Sequence, residues 1–295
     1  MSDTALAVTL SLVRVVGYVG FVLVTGPLTL FGVIWPQGRR DHRLVRLMWA
    51  GIGLLAAATV AGPLVEAVAY DVGAVAAVGR LSAAAALVRL AALAAVATYL
   101  PDLVARDIHR WRLAAALGVV LAIVATMALQ SDAVRSRWSG LMVVVVMVHL
   151  TAVAAWLGGL VAMATVLLPG NRLGDLHSIL PSFSKLASTC VVTLVVTGVL
   201  HGIAVAGGIR PMVSTEFGAA LMLKVGVFAL MLALGDRGRR YASRLAERRL
   251  EQFDETAAPA GINALAVAVG AEITLAVGVF AATSVLVWFS PLNRT

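Results

Sequence analysis

Charge is scarce in this chain, and cysteine is almost absent. Only 13% of its 295 residues are Asp, Glu, Lys or Arg, about half of the ~25% found in an ordinary soluble domain. Because 61% of the residues are hydrophobic, too little polar surface is available to cover a water-soluble globule. The surrounding solvent must be lipid. The single cysteine, Cys190, excludes a disulfide framework, a zinc ribbon and CxxC redox chemistry, each of which needs at least two thiols. A basic n-region leading into a short apolar core and a small-residue cleavage site is also missing, so the first apolar run is expected to be retained as a span. No GxxxxGK[ST] phosphate-binding loop occurs. Transport driven by ATP is therefore not expected; an enzymatic role is not expected either.

What the chain has instead is a succession of apolar runs rich in Ala, Val, Leu and Gly. A helix crossing a bilayer needs about 20 mostly apolar residues, and eight runs qualify, near residues 8–34, 47–70, 80–100, 112–130, 139–168, 186–206, 217–235 and 262–289. They are too long for strands and lack the alternation of an outer-membrane barrel. The expected fold is all-α, a polytopic membrane bundle of eight transmembrane helices. It divides into an N-terminal four-helix half (1–135) and a C-terminal four-helix half (136–295).

The net charge of +8 could suggest nucleic acid, but the basic residues lie in short loops between apolar runs, which is a topological signal. One set of alternate loops holds fifteen Lys and Arg, among them Arg39, Arg40, Arg43, Arg106, Arg110, Arg237, Arg239 and Arg240; the other set holds five. Basic loops stay in the cytoplasm. A multi-pass protein of the plasma (inner) membrane with both termini extracytoplasmic is expected, and no nucleic-acid partner. The one long loop, Gly235–Gly261, reads as a cytoplasmic surface helix, either a solvated orientation signal or a site for anionic lipid or a partner. Pro27 and Pro63, in the similar TGPL and AGPL segments, are expected to kink the first two spans.

Seven ionisable residues fall inside the spans: Arg14, Glu66, Arg89, His149, His201, Lys224 and Glu272. Each costs roughly 2.5–3.5 kcal/mol at membrane depth on insertion scales, so a polar cavity shared by them is the economical arrangement. In the fifth span Met142, His149, Trp156 and Met163 recur every seven residues, close to two turns, and so share one helix face. In the sixth, Cys190 and His201 are eleven apart, about three turns, with Thr197 between them. Lys224 and Glu272, in the seventh and eighth spans, lie near enough in depth to pair.

Imidazole with thioether or thiolate suits copper, and zinc is the main competitor. The plain structural alternative is the commoner one: a lone membrane His more often makes a helix–helix hydrogen bond than ligates a metal, and Met stripes usually fill space.

The segment His149-Leu150-Thr151-Ala152-Val153-Ala154-Ala155-Trp156-Leu157-Gly158-Gly159-Leu160 resembles the opening signature of the copper resistance protein D family. Further similarity follows in order: Phe183-Ser184-Lys185-Leu186-Ala187, then Thr197-Gly198-Val199-Leu200-His201, Leu223-Lys224-Val225, Leu234-Gly235-Asp236-Arg237, and Ala271-Glu272-Ile273-Thr274. The similar stretch runs from 145 to 289. One departure is His201, where many relatives have Asn. The resemblance implies an inner-membrane protein that takes copper from a periplasmic copper carrier and moves it inward. On that basis His149 and His201 are expected as principal copper ligands, Met142 as an outer thioether ligand and Glu272 as a charge partner near the midplane. Two other readings stay open: copper delivery or oxidase assembly without transport, and a membrane electron carrier with haem held between His149 and His201. Arg14, Glu66 and Arg89 inherit no role.

Overall fold

The computed structural model describes residues 3–36, 38, 41–69, 81–105, 110–131, 139–166, 173–215, 218–219, 221–233 and 236–237. Among these, every regular element is helical. In chain order they are α1 (Asp3–Thr29), α2 (His42–Ala69), α3 (Leu81–Ala105), α4 (Arg110–Leu129), α5 (Ser139–Val166), α6 (Leu173–Ala206) and the short α7 (Ile209–Ser214). A further helical stretch, α8, covers Leu221–Ala233.

Five helices contain segments long and apolar enough to cross a membrane: Val8–Thr29, His42–Val65, Ala83–Pro101, Ser139–Val166 and Ile179–Ala206. The fourth and seventh predicted spans are present as shorter apolar helices, Ala114–Leu129 and Leu221–Ala233. The eighth, 262–289, lies outside the described residues, as does most of the basic loop after Gly235. The chain is a multi-pass membrane protein. Its outer surface agrees: α6 exposes Val192, Val195, Val196 and Val199 at helical spacing, a stripe that would drive aggregation in water but is at home against acyl chains.

α5 occupies the centre of the bundle and packs against α1, α2, α4 and α6. Its buried residues run from Met142 to Val166 and include an unbroken stretch from Ala154 to Leu160. Small residues make this possible. Lipid supplies no hydrophobic drive between helices, so close approach of backbones and the dispersion it brings must hold them together. Gly26 of α1 and Gly158 of α5 meet backbone to backbone, and a Cβ on Gly158 would lie 2.6 Å from the Val22 carbonyl oxygen. α1 and α2 cross in the same way at Gly20 and Gly51, where a Cβ on Gly51 would lie 2.9 Å from the Gly20 carbonyl oxygen.

Helix ends and hydroxyls are satisfied locally. Asp41 caps α2, accepting a 2.8 Å bond from the Arg43 amide through its carboxylate, which holds one of the amides that has no partner within the helix. Pro27 does not end α1. The helix passes through it and widens into a π-turn at Leu30–Ile34, closed by a 2.8 Å bond from the Trp35 amide to the Leu30 carbonyl. Buried threonines return their protons to their own helix, Thr25 to the Phe21 carbonyl at 2.7 Å and Thr59 to the Leu55 carbonyl at 2.6 Å. Neither of these two hydroxyl protons is then left without an acceptor.

Replacing Gly158 by Leu is expected to force α1 off α5 and lower stability by at least the ~1–3 kcal/mol typical of overpacking. Thermal unfolding in detergent checks this. Gly53→Ala, at a position where an added Cβ meets nothing within 4 Å, should be neutral or slightly stabilising.

Candidate functional site

α5 and α6 run antiparallel, with Gly159 against Phe183 at one level and His149 against Gly198 at another. The two helices separate the duties of the site. α5 brings His149, and α6 brings a polar stripe in which Thr189, Thr193, Thr197 and His201 follow one another every fourth residue. Spacing of four keeps all of them near one face.

The stripe is a ladder of hydroxyls. Thr193 donates to the Thr189 carbonyl at 2.8 Å, and Thr197 donates to the Thr193 carbonyl at 2.6 Å. His149 Nδ1 lies 2.8 Å from the Thr197 hydroxyl oxygen. A hydroxyl has one proton to give, and the shorter contact, to the Thr193 carbonyl, takes it. Thr197 is then an acceptor toward the imidazole, so Nδ1 carries the ring proton and donates it. In the neutral ring this leaves Nε2 with an unused lone pair, the form in which histidine ligates metals, oriented by a hydrogen bond from its other nitrogen. The ring lies over Gly198, where an added Cβ would sit 3.7 Å from His149 Cε1, an ordinary van der Waals contact.

His201 stands one turn beyond Thr197, about 7 Å along the axis from the end of α6. Its Nδ1 is buried without a hydrogen-bond partner among the described residues. A buried nitrogen in that state is costly unless something binds it. His201 and Lys224 of α8 both lie within electrostatic range of His149, and Lys224 is also within range of His201. The arrangement therefore brings together two imidazoles and one amine from three helices. The amine works against a second cation, so a cation site here needs a compensating anion or a deprotonated amine.

Met142, Trp156 and Met163 are buried on the central helix, as the seven-residue repeat predicts. Trp156 packs edge-to-face on Phe228 of α8, with ring centroids 5.8 Å apart, and this contact anchors the helix that carries Lys224. Met142 lies two turns from His149. Cys190 is buried and free, nearly three turns from His201. Glu272 lies outside the described residues. Among those described, no group of three or more His, Cys, Asp or Glu residues is gathered as a metal cage. Sequence reasoning placed Thr197 on the polar face but did not identify it as the partner of His149. The fourfold spacing ending at His201 is the signal that could have shown it.

The described residues thus make a multi-pass bundle of apolar helices that places two imidazoles and an amine within electrostatic range of one another. Residues 177–286 match the family model "Copper resistance protein D". His201, Lys224 and Glu272 fall within the match, whereas His149 precedes it. The chain is 32% identical over 90 residues to the Copper transport protein CutJ of Bacillus subtilis (strain 168), covering 30% of this chain and 17% of that protein. It is 28% identical over 133 residues to Copper resistance protein D of Pseudomonas syringae pv. tomato, covering 42% and 43%. The matches thus span less than half the length of either relative. No solved structure matches.

Thr197→Val should remove the acceptor that sets the His149 tautomer. In ¹⁵N-labelled protein the wild-type ring is expected to show a protonated Nδ1 and a bare Nε2, and the variant a mixture. A wild-type ring protonated on Nε2 would overturn the assignment.

Proposed function

We propose that the protein binds copper at the extracytoplasmic side of the plasma membrane and moves it inward through the C-terminal half, residues 136–295. The observation that carries this reading is His201 Nδ1, buried without a hydrogen-bond partner among the described residues, within electrostatic range of a His149 ring that Thr197 orients through Nδ1. Imidazole suits copper, and a thioether biases the choice toward the cuprous ion. Met142, buried on the same helix face as His149, supplies that thioether nearer the outer surface. The copper in the relatives' printed names supports the same cargo.

His201 is the first imidazole met from the end of α6, and His149 lies deeper. Ligands at successive depths replace lost hydration stepwise and hold the ion weakly enough for it to leave. Lys224 opposes this movement electrostatically, and Glu272 is assigned the task of offsetting it. With both termini extracytoplasmic, a periplasmic copper carrier would load the site, and the flux would be passive or driven by an ion gradient.

His149→Ala is expected to abolish copper accumulation in vesicles while membrane insertion is unchanged, and Glu272→Gln to reduce it. Full accumulation by His149→Ala would show that the site is wrong. Copper bound by the wild type with none in the lumen would point to delivery instead of transport. Thr197→Val, which leaves both imidazoles but frees one, should weaken copper binding about 10- to 100-fold, the usual range for a residue that orients a metal ligand.

A further inference from the structure

α2 packs against α1, α3 and α5, and its remaining side is open. Residues 42, 46, 49, 53, 57 and 60 recur at intervals of three or four, which holds them within an arc of about 80° on that side. All six are exposed. The stripe changes character along its length. It begins with His42, Arg46 and Trp49, the imidazole side chain 77% exposed and the indole residue 46% exposed. It continues with Gly53, Ala57 and Val60. A Cβ added to Gly53 would meet nothing within 4 Å, so the small residues leave an open dip between Trp49 and Val60.

The membrane-spanning stretch of α2 begins at His42, so Arg46 and Trp49 stand one to two turns inside its end and face lipid. A guanidinium at that place lays its aliphatic stem along the helix and brings its head to the level of the phosphates. Indoles gather at the same depth. From Trp49 to Val60 the helix rises about 16 Å, close to half of the ~30 Å hydrocarbon thickness and so to the depth of one leaflet. Cation, indole and a dip lined by small and aliphatic side chains therefore follow one another in the order of the phosphate, glycerol and acyl chain of a phospholipid.

Charge decides which phospholipid fits. Residues 36–65 contain four arginines, Arg39, Arg40, Arg43 and Arg46, and one carboxylate, Asp41. Asp41 is committed to the helix cap: its side chain is 7% exposed and accepts from the Arg43 amide. The excess of positive charge favours a headgroup of net negative charge over a zwitterionic one, and a guanidinium can take two phosphate oxygens at once.

We propose that the outward face of α2 holds one anionic phospholipid, its phosphate on Arg46, its glycerol against Trp49 and an acyl chain along Gly53, Ala57 and Val60. The site is independent of the copper reading and stands or falls without it.

The test titrates the full-length protein, in a neutral detergent, with phosphatidylglycerol or phosphatidylcholine and counts bound lipid by native mass spectrometry. The wild type is expected to retain one phosphatidylglycerol at concentrations at which phosphatidylcholine is lost. Arg46→Gln should weaken phosphatidylglycerol about 5-fold, the usual worth of one basic residue at an anionic surface, and leave phosphatidylcholine unchanged. Gly53→Leu, which fills the dip without altering charge, should weaken both lipids and serves if Arg46→Gln does not fold. Equal retention of the two lipids by the wild type overturns the proposal, as does a preference that survives Arg46→Gln. A preference lost instead on neutralising Arg237, Arg239 and Arg240 would assign the lipid to the other basic loop and overturns it too. So does a dimer that Gly53→Leu separates with lipid retention intact, which would give this face to a second copy of the chain.

Discussion

Thr197 has one hydroxyl proton, and its commitment to the Thr193 carbonyl at 2.6 Å turns the oxygen into an acceptor for His149 Nδ1. The rest of the polar centre depends on that allocation. Within a bilayer, water cannot satisfy a polar group that the protein leaves alone, so each proton in a buried chain of hydrogen bonds constrains the next. Thr189 and Thr193 donate to backbone carbonyls one turn back, so the allocation is made at Thr197 alone and reaches one imidazole of α5. Its effect is to leave the far nitrogen of that imidazole with a lone pair directed away from the helix that holds the ring.

The hydrogen bond needs the two helices at a fixed level and separation, which the packing of α5 supplies. Gly158 and Gly159 let α1 and Phe183 approach the helix on two sides. Phe228 against Trp156 ties α8, and with it Lys224, to the same helix. A site built on packed helices holds its ligating atoms more tightly than one built on loops. His149 does what a membrane imidazole commonly does, bridging two helices, and that bridge is also what prepares its second nitrogen. The structural and the ligand-binding readings of this residue are therefore not rivals.

Much of the architecture was legible in the chain, because bilayer thickness sets span length and lipid permits few backbone conformations. The first seven predicted spans have helices at their positions, two of them shorter than a full crossing. The stripe of Met142, His149, Trp156 and Met163 was legible from its period, and its burial follows. Pro27 was read as a kink; it lies inside α1, and a wide turn at Leu30–Ile34 follows that helix. The partners of Arg89 were not legible. Thr126 and Gln130 lie 37 and 41 residues away in sequence, and no local pattern links a lone arginine to acceptors on the next helix.

Composition and periodicity by themselves determined the solvent, the helical class and the helix faces that carry polar side chains, because hydropathy and a 3.6-residue turn are properties of local sequence. Only the tertiary structure decided which atoms on those faces meet. Whether His149 presents Nδ1 or Nε2 depends on a proton held by Thr197, a residue 48 positions away. Whether His201 Nδ1 finds a partner depends on how α6 and α8 pack. Both are matters of distances of about 3 Å between helices, which a one-dimensional pattern does not contain.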